Sequence, residues 1–169
     1  MDDITLQFEK NLKQAQPMID NHIIGEMRKF GTEMIDNIIP VQRGFKDLTG
    51  NTITSFAYGI YLEGNLVEVE FYSGDPPVRR KLSKGEIFDG VDYDGNKRYF
   101  IGTVDTNQSF GSETSISFLS KYKTLNRYSI VFTTGTEYSE LLESKGLNVL
   151  TDGKITAMTS FIQSFKPIK

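Results

Sequence analysis

The sequence predicts an α+β fold: an antiparallel sheet packed against a long N-terminal helix and a C-terminal helix, with an inserted β-rich region. Three observations predict it. An apolar stripe at helical spacing runs through residues 3–39. Short segments of alternating character, separated by glycine-containing turns, follow it. A second helical stripe occupies residues 152–165. With 169 residues, 38% of them hydrophobic and 24% charged, the chain is long enough for one domain with a real core. We read residues 1–169 as that single domain, with a core made of 1–73 and 127–169 and an insertion at 74–126.

In the first element, Ile4, Phe8, Leu12, Ala15, Ile19, Ile23, Met27, Phe30, Met34 and Ile38 recur at steps of three and four, which places them on one helical face. Asp2 and Asp3 suit the positive end of the helix dipole. Pro17 implies either a kink or a junction between two helices, and Pro40 marks the end. The stripe is expected to pack on the strands through Phe8, Leu12, Ile19, Ile23, Phe30 and Met34.

After a turn-rich loop at 40–51, residues 52–62 and 66–72 read as a hairpin with Gly64-Asn65 at its turn. Val67, Val69 and Phe71 are expected on the buried face, and Glu68 and Glu70 in solvent. Residues 86–93 and 97–104 read as a second hairpin around Asp94-Gly95, a type I′ signal. Gly, Ser, Thr and Asn dominate 103–115, and 115–123 is ambiguous between strand and helix. Tyr128, Ile130 and Phe132 alternate with Ser129, Val131 and Thr133 as in a strand. Gly135 breaks that strand. Thr134 and Glu137 have capping-box spacing, and Gly146 is placed to end a short helix carrying Tyr138, Leu141, Leu142 and Lys145. Ile155, Met158, Ile162 and Phe165 form the last stripe, which Pro167 stops.

Composition narrows the function. There are no cysteines, which excludes disulfides, thiolate metal sites and cysteine nucleophiles. The net charge of −3 argues against binding that works by neutralising nucleic-acid phosphates. No apolar run approaches the roughly 20 residues that span a bilayer, and the acidic start MDDITLQFEK lacks the form of a secretory signal. Cytoplasmic synthesis is therefore expected. His22 is the single histidine, too few for a usual zinc site, and no serine sits in a G-x-S-x-G elbow. Asp92-Tyr93-Asp94-Gly95-Asn96 has the start of a calcium loop, but Lys97 and Thr103 stand where the sixth-position glycine and twelfth-position glutamate are needed. Thr133-Thr134-Gly135-Thr136 lacks the further glycines and the lysine of a phosphate loop. No catalytic, metal or cofactor-binding residues are therefore assigned, and no cofactor is expected. Arg79, Arg80, Lys81 and Lys84 form the densest basic run, either a solvated loop or a contact to an acidic neighbour or to passing DNA.

The order of elements resembles the tail-completion (head–tail joining) proteins of tailed bacteriophages. The matching residues are Pro40, Leu48-Thr49-Gly50 and Ser55, then Gly135-Thr136-Glu137-Tyr138 with Glu143 and Gly146. The resemblance covers about the first 72 residues and the last 43, and leaves out the insertion. The chain departs from the pattern in its proline to Thr-Gly spacing and in the two residues between Glu143 and Gly146. The resemblance implies a non-enzymatic virion protein made in the bacterial cytoplasm. It would form a homo-oligomeric ring at the neck, between portal or adaptor and tail-tube proteins, with genome DNA passing through and no membrane involved. On that reading Tyr138, Leu142 and Glu143 are interface candidates, together with Arg79 and Arg80; Tyr138 and Leu142 serve equally as anchors of their own helix. The alternative is a tail or surface module that recognises a ligand through 74–126.

Overall fold

The segment FAYGIYL has no polar partner for its apolar positions, as expected of a strand covered on both faces. In a computed structural model it is β1 (Phe56–Leu62), and its first six residues are all buried. The structure describes residues 3–41, 50–74, 80–92, 94–102, 105–106, 110–135, 158–159 and 161. Helix α1 (Asp3–Val41) comes first, then a 3₁₀ turn (Ile53–Ser55), β1, β2 (Asn65–Phe71), β3 (Ile87–Val91), β4 (Lys97–Ile101), α2 (Phe110–Lys121) and β5 (Tyr128–Thr134). Met158, Thr159 and Phe161 are helical near the C-terminus. The fold is α+β, with a three-stranded antiparallel sheet in the order β2-β1-β5 and a separate β3–β4 hairpin.

Successive side chains of a strand point to opposite faces, and β1 uses both. Tyr58 and Ile60 face α1, where they cluster with Met27 and Ile35 and with Ile130 and Phe132 of β5. Phe30 and Met34 pack on Ile53 and Phe56 beside them. The Phe30 ring meets Phe132 edge-on at 5.6 Å and Phe161 at 4.8 Å, a geometry aromatic quadrupoles favour. On the opposite face, Tyr61 donates a 2.7 Å hydrogen bond to the Leu119 carbonyl of α2. The sheet is thus sandwiched between two helices.

Glycine permits both contacts. A Cβ on Gly31 would lie 2.5 Å from the Tyr58 ring, so α1 rests directly on that ring. A Cβ on Gly59 would lie 2.9 Å from Leu66 and 3.2 Å from Leu119.

Several expectations need correcting. Helix α1 runs unbroken through Pro17 to Val41, neither stopping at Pro40 nor dividing in two. Only its second half is a core helix: Phe30 and Met34 are 8% and 1% exposed, whereas Phe8 and Leu12 are 65% and 51% exposed. The reason is length. Thirty-nine residues make a helix of about 58 Å, and strands of seven residues extend only about 24 Å.

The first hairpin turns at Glu63-Gly64, one residue earlier than expected. Both have positive φ, 52° and 79°, as a type I′ turn requires. A bulge between Ile60 and Tyr61 leaves Val67 exposed. Glu68 and Glu70 sit opposite Ile60 and Tyr58, on the face toward α1 rather than in open solvent, because Arg28 and Thr32 of the helix supply polar partners there. In the second hairpin Gly95 has positive φ and Asp94 does not, and Asp92 N–H donates to Asn96 O at 2.9 Å, so Asp94-Gly95 does not form the type I′ pair.

The largest correction concerns 74–126. Its second part is helix α2, which belongs to the core: Leu119 and Ser115 are fully buried. Ser115 Oγ donates to Ser55 O at 2.6 Å, and a Cβ on Gly111 would fall 2.5 Å from Asn51 O. The small polar residues that suggest a loop are the close-packing face of a helix. Glu113 in its first turn and Lys121 in its last complement the helix dipole.

Replacing Phe30 with Ala should lower unfolding free energy by about 3–5 kcal/mol, measured by denaturant titration, while Phe8→Ala leaves it nearly unchanged. Gly31→Ala forces a methyl against the buried Tyr58 ring and should cost about 1–3 kcal/mol. The β3–β4 unit closes on itself at its base, where Leu82 N–H donates to Thr106 Oγ1 at 2.6 Å and Thr106 N–H to Leu82 O at 2.8 Å. Exchanging residues 82–106 for a short Gly/Ser linker should therefore preserve cooperative unfolding, since loop-closure entropy changes slowly with length. Extending the exchange to 125 removes α2 and should abolish it.

Candidate functional site

Two polar clusters pin α1 to the sheet. In the first, the Tyr58 hydroxyl, at the centre of the α1 contact, donates to the Glu70 carboxylate and lies 3.2 Å from Arg28 O. Thr32 Oγ1 donates to Glu70 at 3.0 Å. Arg28 grips Glu68 with Nε at 2.6 Å and Nη2 at 2.5 Å, the two-pronged geometry that suits guanidinium to carboxylate. Burial, reinforced by the Glu70 hydrogen bond, pushes the Tyr58 hydroxyl well above its ordinary pKa. The phenol stays protonated and serves as a structural donor.

In the second cluster, Asp20 of α1 accepts from Tyr128 Oη at 2.5 Å, Gln16 Nε2 at 2.9 Å and Arg127 Nη2 at 3.1 Å. Arg127 also pairs with Glu63 at the β1–β2 turn, and its carbonyl accepts Glu63 N–H at 2.6 Å. The Tyr128 hydrogen bond, with those from Gln16 and Arg127, holds the Asp20 carboxyl below its usual range. These groups join α1, the hairpin turn and the start of β5.

N-terminal to this anchor, α1 carries Ile4, Leu6, Phe8, Leu12 and Met18 exposed. Ile87, Val91, Tyr99 and Ile101 of the β3–β4 hairpin are exposed as well. The pairing Ile87↔Ile101 and Asp89↔Tyr99 puts these four on one face. Phe88 and Phe100 stack on the other at 5.8 Å. A concavity of about 350 Å³ lies against Asp89, Gly90, Val91, Lys97, Arg98 and Tyr99. The sequence did not mark this face, because Ile87-Phe88 and Tyr99-Phe100-Ile101 place apolar residues on both sides of the hairpin.

Of the expected interface residues, Arg80 is described. It pairs with Glu86 at 3.0 Å and sits 5.1 Å from the Phe88 ring centroid, so its charge is engaged within the hairpin. Arg79, Tyr138, Leu142 and Glu143 lie outside the described residues, as does the short helix expected after Gly135. Gly135 itself backs onto α2: a Cβ there would lie 2.5 Å from Gly111 O and 2.9 Å from Ser115 Oγ. Close packing accounts for this glycine without an anion. In the calcium-like turn, the Asp92 carboxylate accepts Asn96 N–H at 2.8 Å and Arg98 Nε at 2.5 Å. Among the described residues no three His, Cys, Asp or Glu side chains gather as metal ligands, and no helix is long and apolar enough to cross a membrane. His22 is half-buried on α1.

No family model, curated protein or solved structure matches the chain.

The lowered pKa of Asp20 sets the sign of a pH effect. A carboxyl whose folded pKa lies below its unfolded value contributes stability that is fully present above the unfolded value. That stability is lost as pH falls through the folded one. The melting-temperature difference between the native chain and Asp20→Asn should therefore be constant near neutrality. It should shrink as pH drops below about 4, as thermal unfolding followed by circular dichroism would record.

Proposed function

We propose that this chain is a structural assembly protein and, within that class, a head–tail joining protein of a tailed bacteriophage. On this reading copies form a ring at the neck, between portal or adaptor and tail tube, and genome DNA passes through without specific contact. The observation that carries the assembly part is the exposed apolar half of α1. Ile4, Phe8 and Leu12 lie beyond the sheet that covers the rest of the stripe, and an uncovered apolar surface of that extent marks an interaction site. The phage assignment rests on the sequence pattern around Pro40, Thr49-Gly50, Ser55 and Gly135-Thr136-Glu137-Tyr138. The mildly acidic chain, with net charge −3, is consistent with a wall along which DNA slides. The second reading, a ligand-recognition module, draws on the concavity of the hairpin face.

Electron microscopy and mass measurement of the purified chain separate the two. Closed rings favour the neck protein; a monomer that binds a glycan or host protein favours the module. Leu12→Glu should leave the melting temperature unchanged, because the side chain is already half in solvent, and should leave filled heads and tails unjoined in infected cells. Normal yields of joined, infectious particles would remove the α1 surface from the joining role.

A further inference from the structure

The exposed and buried halves of α1 form one surface. Eleven residues are close to three helical turns, so side chains eleven apart lie in line along the axis. Phe8, Ile19 and Phe30 form one such row, and Leu12, Ile23 and Met34 another. Phe30 and Met34 end these rows in the core, packed against the three-stranded sheet. Phe8 and Leu12 begin the same rows and are exposed. The first half of α1 thus presents to solvent the face that its second half applies to a sheet.

The chain also carries a sheet face without a helix on it. A two-stranded hairpin is at best marginally stable in water and needs a cover on its apolar side. The β3–β4 hairpin leaves Ile87, Val91, Tyr99 and Ile101 uncovered. The dimensions match. Strands of five residues extend about 17 Å, and residues 4–15 of α1 span about 18 Å. One helix, about 10 Å across, covers two strands about 5 Å apart. The concavity beside Val91 and Tyr99 is a place for a large side chain to enter. Both surfaces carry charges of both signs, Glu9, Lys10 and Lys13 along the helix and Asp89 and Lys97 on the hairpin face, so each offers partners to the other.

We propose that residues 4–15 of α1 in one copy dock on the outer β3–β4 face of a second copy of this chain. Both surfaces are exposed within one chain, so they meet only between chains. The contact joins two different surfaces and is heterologous, and such contacts propagate into rings or filaments. It rests on the self-assembly part of the function proposed above and is independent of the phage assignment.

The absence of cysteine from the native sequence makes a clean test available. Single-cysteine variants Phe8→Cys and Leu12→Cys are each mixed with Val91→Cys, Tyr99→Cys or Ile101→Cys and treated with a short bismaleimide. Val67→Cys, exposed on β2, is the control partner. All six sites are already exposed, and unchanged circular dichroism confirms folding before mixing. The expected result is a covalent dimer from helix–hairpin mixtures, absent from the Val67→Cys mixtures and from each variant alone. Dimers formed by a helix variant alone would instead place two helices together and overturn the proposal. Oligomers seen by mass measurement with no helix–hairpin cross-link would overturn it while leaving ring assembly intact. A chain that stays monomeric at every concentration would overturn both.

Discussion

The contact between Gly31 and the Tyr58 ring is the constraint on which the rest depends. It sets how closely α1 approaches the sheet, and that distance brings Arg28, Thr32, Glu68 and Glu70 into bonding range of one another. A phenol buried under a helix would be costly without partners. Here its hydroxyl reaches the helix backbone at Arg28 and the carboxylate of Glu70, so the polar group that closeness buries is the one that closeness satisfies. The Asp20–Arg127–Tyr128 cluster supplies a second point of attachment. Two points fix the direction of a rod, and the N-terminal half of α1 is projected by them as a lever.

Helix α1 and strand β5 were legible in the sequence, because each has a clean period: steps of three and four in one, alternation in the other. The second half of the α1 stripe was read correctly and the first half was not. Periodicity reports that a face is apolar and cannot report what covers it. Ile53 and Ser55 disturbed the reading of β1 because they form a 3₁₀ turn. Phe56–Leu62 disturbed it because a strand buried on both sides has no alternation to read.

Helix α2 was left open between strand and helix over 115–123, and its first turn was read as loop, for a physical reason. Gly111 and Ser115 are poor helix formers, yet they are what lets a helix backbone lie against the Asn51–Ser55 segment. Propensity and packing oppose each other there, and packing wins. Glu68 and Glu70 present the same lesson in reverse. Charged residues at alternating positions point to solvent by default, and only the position of α1 over Tyr58 gives them partners. The expected joint after Gly135 lies outside the described residues. Gly135 itself packs against α2.

The sheet topology also has a consequence for how the chain acquires its structure. Strand β1 meets β2 across a two-residue turn, but it meets β5 only after everything in residues 63–127 has been made. Pairings of such unequal range form at unequal rates, since distant partners must first overcome the entropy of closing the chain between them. Until β5 arrives, β1 has one hydrogen-bonding edge open, and until α2 arrives the face destined for it is bare. A nascent chain on the ribosome passes through that state every time, and an open apolar edge is a template for pairing with another chain. The β3–β4 hairpin, closed at its own base by Leu82 and Thr106, occupies the interval. Its local pairing keeps that part of the chain folded while the central strand waits for its second neighbour.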